Sequence, residues 1–212
     1  MFKPVSAVAF DFGGVLTHSA FDGVAAYGRS IGLPDDALVP YFRDDPMMAR
    51  LEVGEITARE YFRYVCVDAE ATHGRRIDLR ALAAAAAEGE RLNPAMMELV
   101  AELGQRVPVA LVTNNVASAG WRATFPYHLF TVVIDSSELG VRKPDPRIYE
   151  ELLRRLDRRA DEVVFVDDLA RNTDAAAALG LRPVLFTGLE ACRDALRGLG
   201  ALPQEVSGTP LP

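Results

Sequence analysis

The stretch Val5-Ser6-Ala7-Val8-Ala9-Phe10-Asp11-Phe12-Gly13-Gly14-Val15-Leu16 decides the fold of this chain. Its first half, from Val5 to Phe10, is an apolar run that stops at an aspartate and a glycine pair. That is the pattern of a buried parallel strand ending in a tight loop. Similar runs recur at 108–112, 129–134, 162–166 and 183–186, most of them separated by helix-like segments. Those segments are predicted over 94–103, begun by Asn93 with a proline in the first turn, and over 145–156, 173–179 and 190–199. Gly104, Gly180 and Gly200 stand where C-caps belong. Strands alternating with helices predict an α/β fold built on a parallel sheet of about five strands.

Residues 17–92 break this rhythm. They read as several helices with turns at Gly32-Leu33-Pro34, Asp44-Asp45-Pro46 and His73-Gly74, the pattern of an inserted all-helical cap. The alanine-rich run from Ala81 to Ala87 reads as helix propensity alone. The expected organisation is therefore a core of 1–16 and 93–200, a cap of 17–92, and a Pro- and Gly-rich tail of 201–212 with little order. The chain has 212 residues, enough for a core carrying a smaller inserted unit.

Composition narrows the partners. No apolar run approaches the roughly 18 residues of a membrane-spanning helix, and the N-terminus lacks the apolar stretch of a signal peptide. A cytoplasmic location away from the membrane is expected. The net charge of −7 repels polyanions, so nucleic acid is not an expected partner, and the arginines from 154 to 159 read as the solvated end of a helix. Cys66 and Cys192 stand far apart with no zinc-type spacing and read as two buried free thiols. A homodimer is compatible with the sequence.

Ligands of open parallel sheets bind beyond the carboxyl ends of the strands. There the chain places Asp11 with Gly13 and Gly14, then Thr113 and Asn114, then Asp167 and Asp168, while Lys143 precedes two prolines in Arg142-Lys143-Pro144-Asp145-Pro146. Each has an ordinary explanation: Asp11 as a turn residue, Thr113-Asn114 as an N-cap, Lys143 as a surface lysine. Adjacent carboxylates at one strand end repel unless a cation lies between them, which favours a metal site at Asp167-Asp168.

Taken in order, Asp, Thr, Lys and Asp-Asp at or near the ends of successive predicted strands resemble the haloacid dehalogenase superfamily, and the resemblance covers nearly the whole chain. Phe10-Asp11-Phe12-Gly13-Gly14-Val15-Leu16, Gly54-Glu55-Ile56-Thr57 and residues 140–149 are similar to the branch of glucose 1-phosphate phosphatases and epoxide hydrolase N-terminal domains. The resemblance implies a Rossmann-like core under the cap and a Mg²⁺-dependent phosphohydrolase acting on a small phosphorylated metabolite, a sugar phosphate by preference. It implies that Asp11 is the nucleophile and forms an aspartyl-phosphate. Asp11, the carbonyl of Gly13 and Asp168 would hold Mg²⁺, with Asp167 acting through water or from behind. Thr113, Asn114, Lys143 and the Gly13-Gly14 turn would hold the phosphoryl group, and Lys143 would keep Asp11 ionised.

One position departs from the pattern. Most phosphatases of the superfamily carry a second aspartate where this chain has Gly13; it protonates the leaving alcohol. His18 is the nearby candidate to deputise. Two other outcomes stay open: a phosphate-binding homologue with little turnover, and a metal-independent 2-haloacid dehalogenase, which also lacks that aspartate. Tyr41, Phe42, Arg43, Met47, Glu52, Glu55 and Trp121 are candidates for lining the pocket under the cap.

Overall fold

The computed structural model describes residues 3–89, 91–117 and 119–204. In chain order, β1 (Ala7–Phe10) is followed by α1 (Ala20–Ser30), α2 (Val39–Arg43), α3 (Pro46–Glu52), α4 (Ala58–His73) and α5 (Leu79–Glu88). Then come α6 (Pro94–Gly104), β2 (Val109–Thr113), β3 (Val132–Asp135), α7 (Ser136–Leu139), α8 (Pro146–Leu156), β4 (Val163–Asp167), α9 (Ala170–Ala178), β5 (Arg182–Leu185) and α10 (Leu189–Gly198). The strands form one parallel sheet in the order β3-β2-β1-β4-β5.

β1 lies at the centre of this sheet, which is why its run is apolar without alternation: both of its faces are covered. The pleat sends Val8 and Phe10 to one side with Leu111 and Val166, where Leu99 of α6 and Leu196 of α10 pack. It sends Ala7 and Ala9 to the other side with Val112 and Phe165, against Ile148, Tyr149 and Leu152 of α8.

Helices α1 to α5 form a cap around a third apolar cluster that includes Val24, Leu38, Tyr61, Val65 and Leu82. The chain enters and leaves the cap side by side, with Thr17 and Leu92 in an antiparallel bridge and the Asn93 N–H donating to the Leu16 carbonyl at 2.8 Å. α1 lies tightly on α5 because position 23 is glycine: a Cβ there would come within 2.2 Å of the Ala85 carbonyl oxygen. The small residues of the 81–87 run thus serve close packing as well as helix propensity.

The predicted elements shift by a few residues. α9 begins at Ala170 rather than at residue 173, and Gly104 closes α6 from inside, whereas Gly180 and Gly200 adopt the positive φ of a helix end. No helix starts at Thr113-Asn114, so the N-cap explanation for that pair fails; a loop and a short turn at Gly120–Ala123 follow. Ala201 and Leu202, expected in the tail, are buried against the core, and residues 205–212 lie outside the described residues. Both cysteines are buried and free. Among the described residues no helix is long and apolar enough to cross a membrane.

Candidate active site

Parallel register sets the carboxyl ends of β1 and β4 side by side. Phe10 pairs with Val166, and the Asp11 N–H donates to the Val166 carbonyl at 2.9 Å. These two strands flank the point where the strand order reverses, the crevice where open α/β sheets bind their ligands. Asp11, Asp167 and Asp168 meet there, each offering an oxygen within 4.8 Å of the others.

Lys143, an expected surface lysine by frequency alone, is 1% exposed. Its Nζ lies 2.5 Å from Asp11 Oδ1 and 2.7 Å from Asp167 Oδ2. The side chain of Asn114 holds it there: Oδ1 accepts the Lys143 N–H at 2.7 Å and Nδ2 donates to the Lys143 carbonyl at 3.0 Å. Asn114 therefore spends its side chain on positioning the lysine. Asp167 is fully buried and saturated, taking Lys143, the Leu169 N–H at 2.9 Å and Asn172 Nδ2 at 3.0 and 3.1 Å. Asn172 escaped the sequence reading, although its place one helical turn beyond the Asp167-Asp168 pair is a usable signal.

Three carboxylates face one ammonium, so two negative charges are left without a partner in a buried crevice. Burial, against the pull of Lys143 and aided by Asp167 and Asp168, pushes Asp11 up to about 8. Burial and then Asp167 push Asp168 up to about 6. Burial alone would lower Lys143, but Asp11 and Asp167 outweigh it and hold the ammonium above its ordinary range. A hard divalent cation with oxygen ligands is what this donor set lacks for charge balance, and magnesium fits it. The Asp11 Oδ1 atom is taken by Lys143 and by the Phe12 N–H at 2.7 Å, which leaves Oδ2 without a protein donor.

The glycine pair divides into two different positions. Gly14 has φ +76°, and a Cβ there would lie 2.5 Å from Asp168 Oδ2, so only glycine lets this turn approach the carboxylate. Gly13 has ordinary dihedrals, φ −69° and ψ 124°, and a Cβ there would meet nothing within 4 Å. Position 13 thus has space for a side chain. The Thr113 hydroxyl is buried with no partner among the described residues, which suits a group reserved for a ligand oxygen.

A cavity of about 330 Å³ opens above these groups, between core and cap. Asp11, Gly13, Gly14, Asn114, Lys143 and Asp168 form its floor; Thr113 and Asp167 stand behind that surface. Of the expected lining residues, Phe42, Arg43 and Glu52 face the cavity, and so does His18. Trp121 instead stacks on Phe12 at 4.2 Å, and the Tyr41 hydroxyl donates to Asp68 at 2.5 Å. Met47 and Glu55 do not line it either. The alanine run does: Ala83, Ala86 and Ala87 are part of the wall. Cap and core are tied by Glu52, which pairs with Arg142 at 2.6 Å, next to Lys143, and whose carbonyl accepts Ser136 Oγ at 2.6 Å, and by Arg171, which reaches Asp44 and the Arg43 carbonyl, the latter at 2.8 Å.

The family model for haloacid dehalogenase-like hydrolases matches residues 5–180. The chain is 29% identical over 208 residues to acyl-CoA dehydrogenase family member 10 of Mus musculus, covering 93% of this chain and 19% of that protein. It is 28% identical over 198 residues to bifunctional epoxide hydrolase 2 of Sus scrofa, covering 84% and 36%. A sesquiterpene phosphatase of Aspergillus oryzae is 37% identical over 95 residues, covering 43% and 48%. The chain thus spans between a fifth and a half of the length of these relatives. The fold is shared by a HAD-family enzyme of Bacteroides thetaiotaomicron crystallised with magnesium and inorganic phosphate, at TM-score 0.64 and 22% identity over 85% of this chain and 93% of that one. It is also shared by a 2-haloacid dehalogenase of Pseudomonas syringae, at TM-score 0.54 and 21% identity over 86% of each chain.

Proposed function

Because this chain belongs to the haloacid dehalogenase-like hydrolases, we propose that it is a magnesium-dependent phosphomonoester hydrolase with Asp11 as its nucleophile. The observation that carries the proposal is the buried Lys143 ammonium bridging Asp11 and Asp167, with Asp168 beside them and more negative charge than one lysine balances.

In the first half-reaction an Asp11 carboxylate oxygen bonds to phosphorus while the ester P–O bond breaks. The departing oxygen takes its proton from solvent, because position 13 offers no acid. In the second half-reaction water attacks the aspartyl-phosphate at phosphorus, the bond to Asp11 breaks, inorganic phosphate leaves and the carboxylate is restored. Lys143, together with magnesium when bound, would draw Asp11 down from its raised value toward the carboxylate, and Lys143 neutralises phosphoryl charge as it spreads over the equatorial oxygens. The Thr113 hydroxyl donates to one of those oxygens. Magnesium, held by Asp11, the Gly13 carbonyl and Asp168, would supply the positive charge that lets an anionic nucleophile approach an anionic ester. Asp167 stays behind it, orienting Lys143. The sequence resemblance alone points to a sugar 1-phosphate, whose hemiacetal oxygen departs more readily than an alkoxide, whereas the cap wall that faces the floor is largely apolar.

Halide displacement from a 2-haloacid would use the same nucleophile and equally dispenses with an acid at position 13. The Asp167-Asp168 pair sets it second, since two further carboxylates repel a carboxylate substrate unless a cation is bound. Phosphate release from p-nitrophenyl phosphate and glucose 1-phosphate, with Mg²⁺ and with excess EDTA, tests the proposal alongside chloride release from 2-chloropropionate. Phosphate release that EDTA stops supports it. Chloride release that ignores EDTA replaces it with the dehalogenase, and silence in every assay leaves a phosphate-binding homologue.

A further inference from the structure

We infer that, given the phosphatase reading above, the leaving group is an apolar alcohol or phenol rather than a sugar. The inference rests on the chemistry of the cavity wall, which differs from that of its floor.

Across from Asp11 and Lys143 the cap presents Phe21, Phe42, Met48, Phe62, Ala83 and Ala87. The same cavity holds both surfaces, so whatever is esterified to a phosphate on the floor must lie against them. Its size, about 330 Å³, falls at the lower end of the roughly 300–1,000 Å³ typical of small-molecule sites.

Polar side chains do line the cavity, but most already hold a protein partner, with Ser19 and Asn115 engaged through their oxygens. Thr17 Oγ1 donates to the Phe12 and His18 carbonyls at 3.2 and 2.9 Å, and Ser19 Oγ accepts the Phe21 N–H at 3.2 Å. The Tyr61 hydroxyl donates to the Tyr41 carbonyl at 2.7 Å, and Asn115 Oδ1 accepts the Val116 N–H at 2.7 Å. Asn114 is spent on Lys143, Asn172 on Asp167, Glu52 on Arg142 and Arg171 on Asp44. Setting aside the floor's Asp168 and the Glu52–Arg142 ion pair, the His18 ring and the Arg43 guanidinium are, among the described residues lining the cavity, the polar side chains that make no hydrogen bond to protein, and Arg43 lies over the Phe21 ring, 4.8 Å from its centroid. A hexose carries four or five hydroxyls that lose water on entering such a site, and the His18 ring, the Arg43 guanidinium and the remaining Ser19 and Asn115 donors leave most of their hydrogen-bonding capacity unmet. Sites discriminate strongly against polar groups that they leave unpaired. An apolar group gains from the same wall in proportion to the area it buries.

The test holds leaving-group acidity nearly constant while apolar area grows: phenyl, 4-ethylphenyl and 4-butylphenyl phosphates with Mg²⁺, beside glucose 1-phosphate and acetyl phosphate. The expected result is a rise in kcat/KM of about fourfold per methylene, the equivalent of roughly 0.8 kcal/mol for each buried CH₂. That gives about two orders of magnitude from phenyl to 4-butylphenyl phosphate, with glucose 1-phosphate far below the latter. A flat series, or a preference for glucose 1-phosphate, overturns the inference while acetyl phosphate turnover keeps the phosphatase reading intact. No release from any of the five, acetyl phosphate included, overturns that reading and the inference with it.

Discussion

The floor and the wall of the cleft are built on opposite principles. The floor, at the carboxyl ends of β1 and β4, packs three carboxylates and a lysine together: Lys143 is held by Asn114, and Asp167 by Leu169 and Asn172, while the carboxylates together carry more charge than that lysine balances. The wall, on α1 to α5, is aromatic and aliphatic, with its polar groups turned to protein. On the proposed function the two surfaces divide the labour: the floor supplies the fixed charge that phosphoryl transfer requires, and the wall would select by shape and apolar area.

The division breaks most visibly at the nucleophile. Asp11→Asn should lower kcat by more than about 10³-fold while the far-UV spectrum and melting cooperativity stay those of the parent. Turnover near the parent rate would mean that the floor is not where the reaction takes place.

Gly13→Asp sharpens the comparison by adding to the floor what the resemblance says is missing. The position has an ordinary backbone and open space around a Cβ. The variant should raise kcat for alkyl phosphates by about 10²-fold, the lower end of what a general acid supplies, and change p-nitrophenyl phosphate little. An equal effect on both leaving groups would show that the new carboxylate is not acting as an acid.

A third prediction concerns charge on the floor in the absence of metal. The folded state holds Asp168 protonated up to about 6 and Asp11 up to about 8, whereas the unfolded chain releases these protons near the ordinary aspartate value of 3.8. The folded protein then binds more protons than the unfolded one across that window, so these groups favour folding below it and lose that contribution as pH rises. Melts of EDTA-treated protein at pH 5, 6, 7 and 8 should fall progressively below those taken with Mg²⁺, the gap widening with pH. A gap that is constant with pH would mean that magnesium binds somewhere other than among these carboxylates.

The smallest effect belongs to the rim. Arg171 joins α9 to Asp44 and the Arg43 carbonyl, but the pair is largely exposed. Arg171→Ala should raise KM by no more than about fivefold and leave kcat in place, as expected for an ion pair in water. A loss of kcat instead would make the position of the cap part of the chemistry.

Much of this molecule was written locally. The run ending at Phe10 named a buried parallel strand because a strand covered on both faces dispenses with polar alternation, and Asp11, Thr113 and Asp167-Asp168 marked strand ends before any pairing was known, whereas Lys143 falls beyond the short helix α7 that follows β3. What sequence could not supply were facts that depend on which surfaces meet. Lys143 lies 24 residues from Asp167 and 132 from Asp11, and nothing in its own neighbourhood says that it is buried between them or that Asn114 clamps its backbone. Trp121 looked like a ligand-facing aromatic and became core because Phe12 folds onto it. The alanines of α5 spelled only helix propensity until packing against α1 turned them toward the cleft. Periodicity and strand-end chemistry are properties of short segments, so they fixed the layers and picked out the candidate polar groups. Burial, charge balance and the polarity of the wall arise between distant segments, and tertiary structure alone decided them.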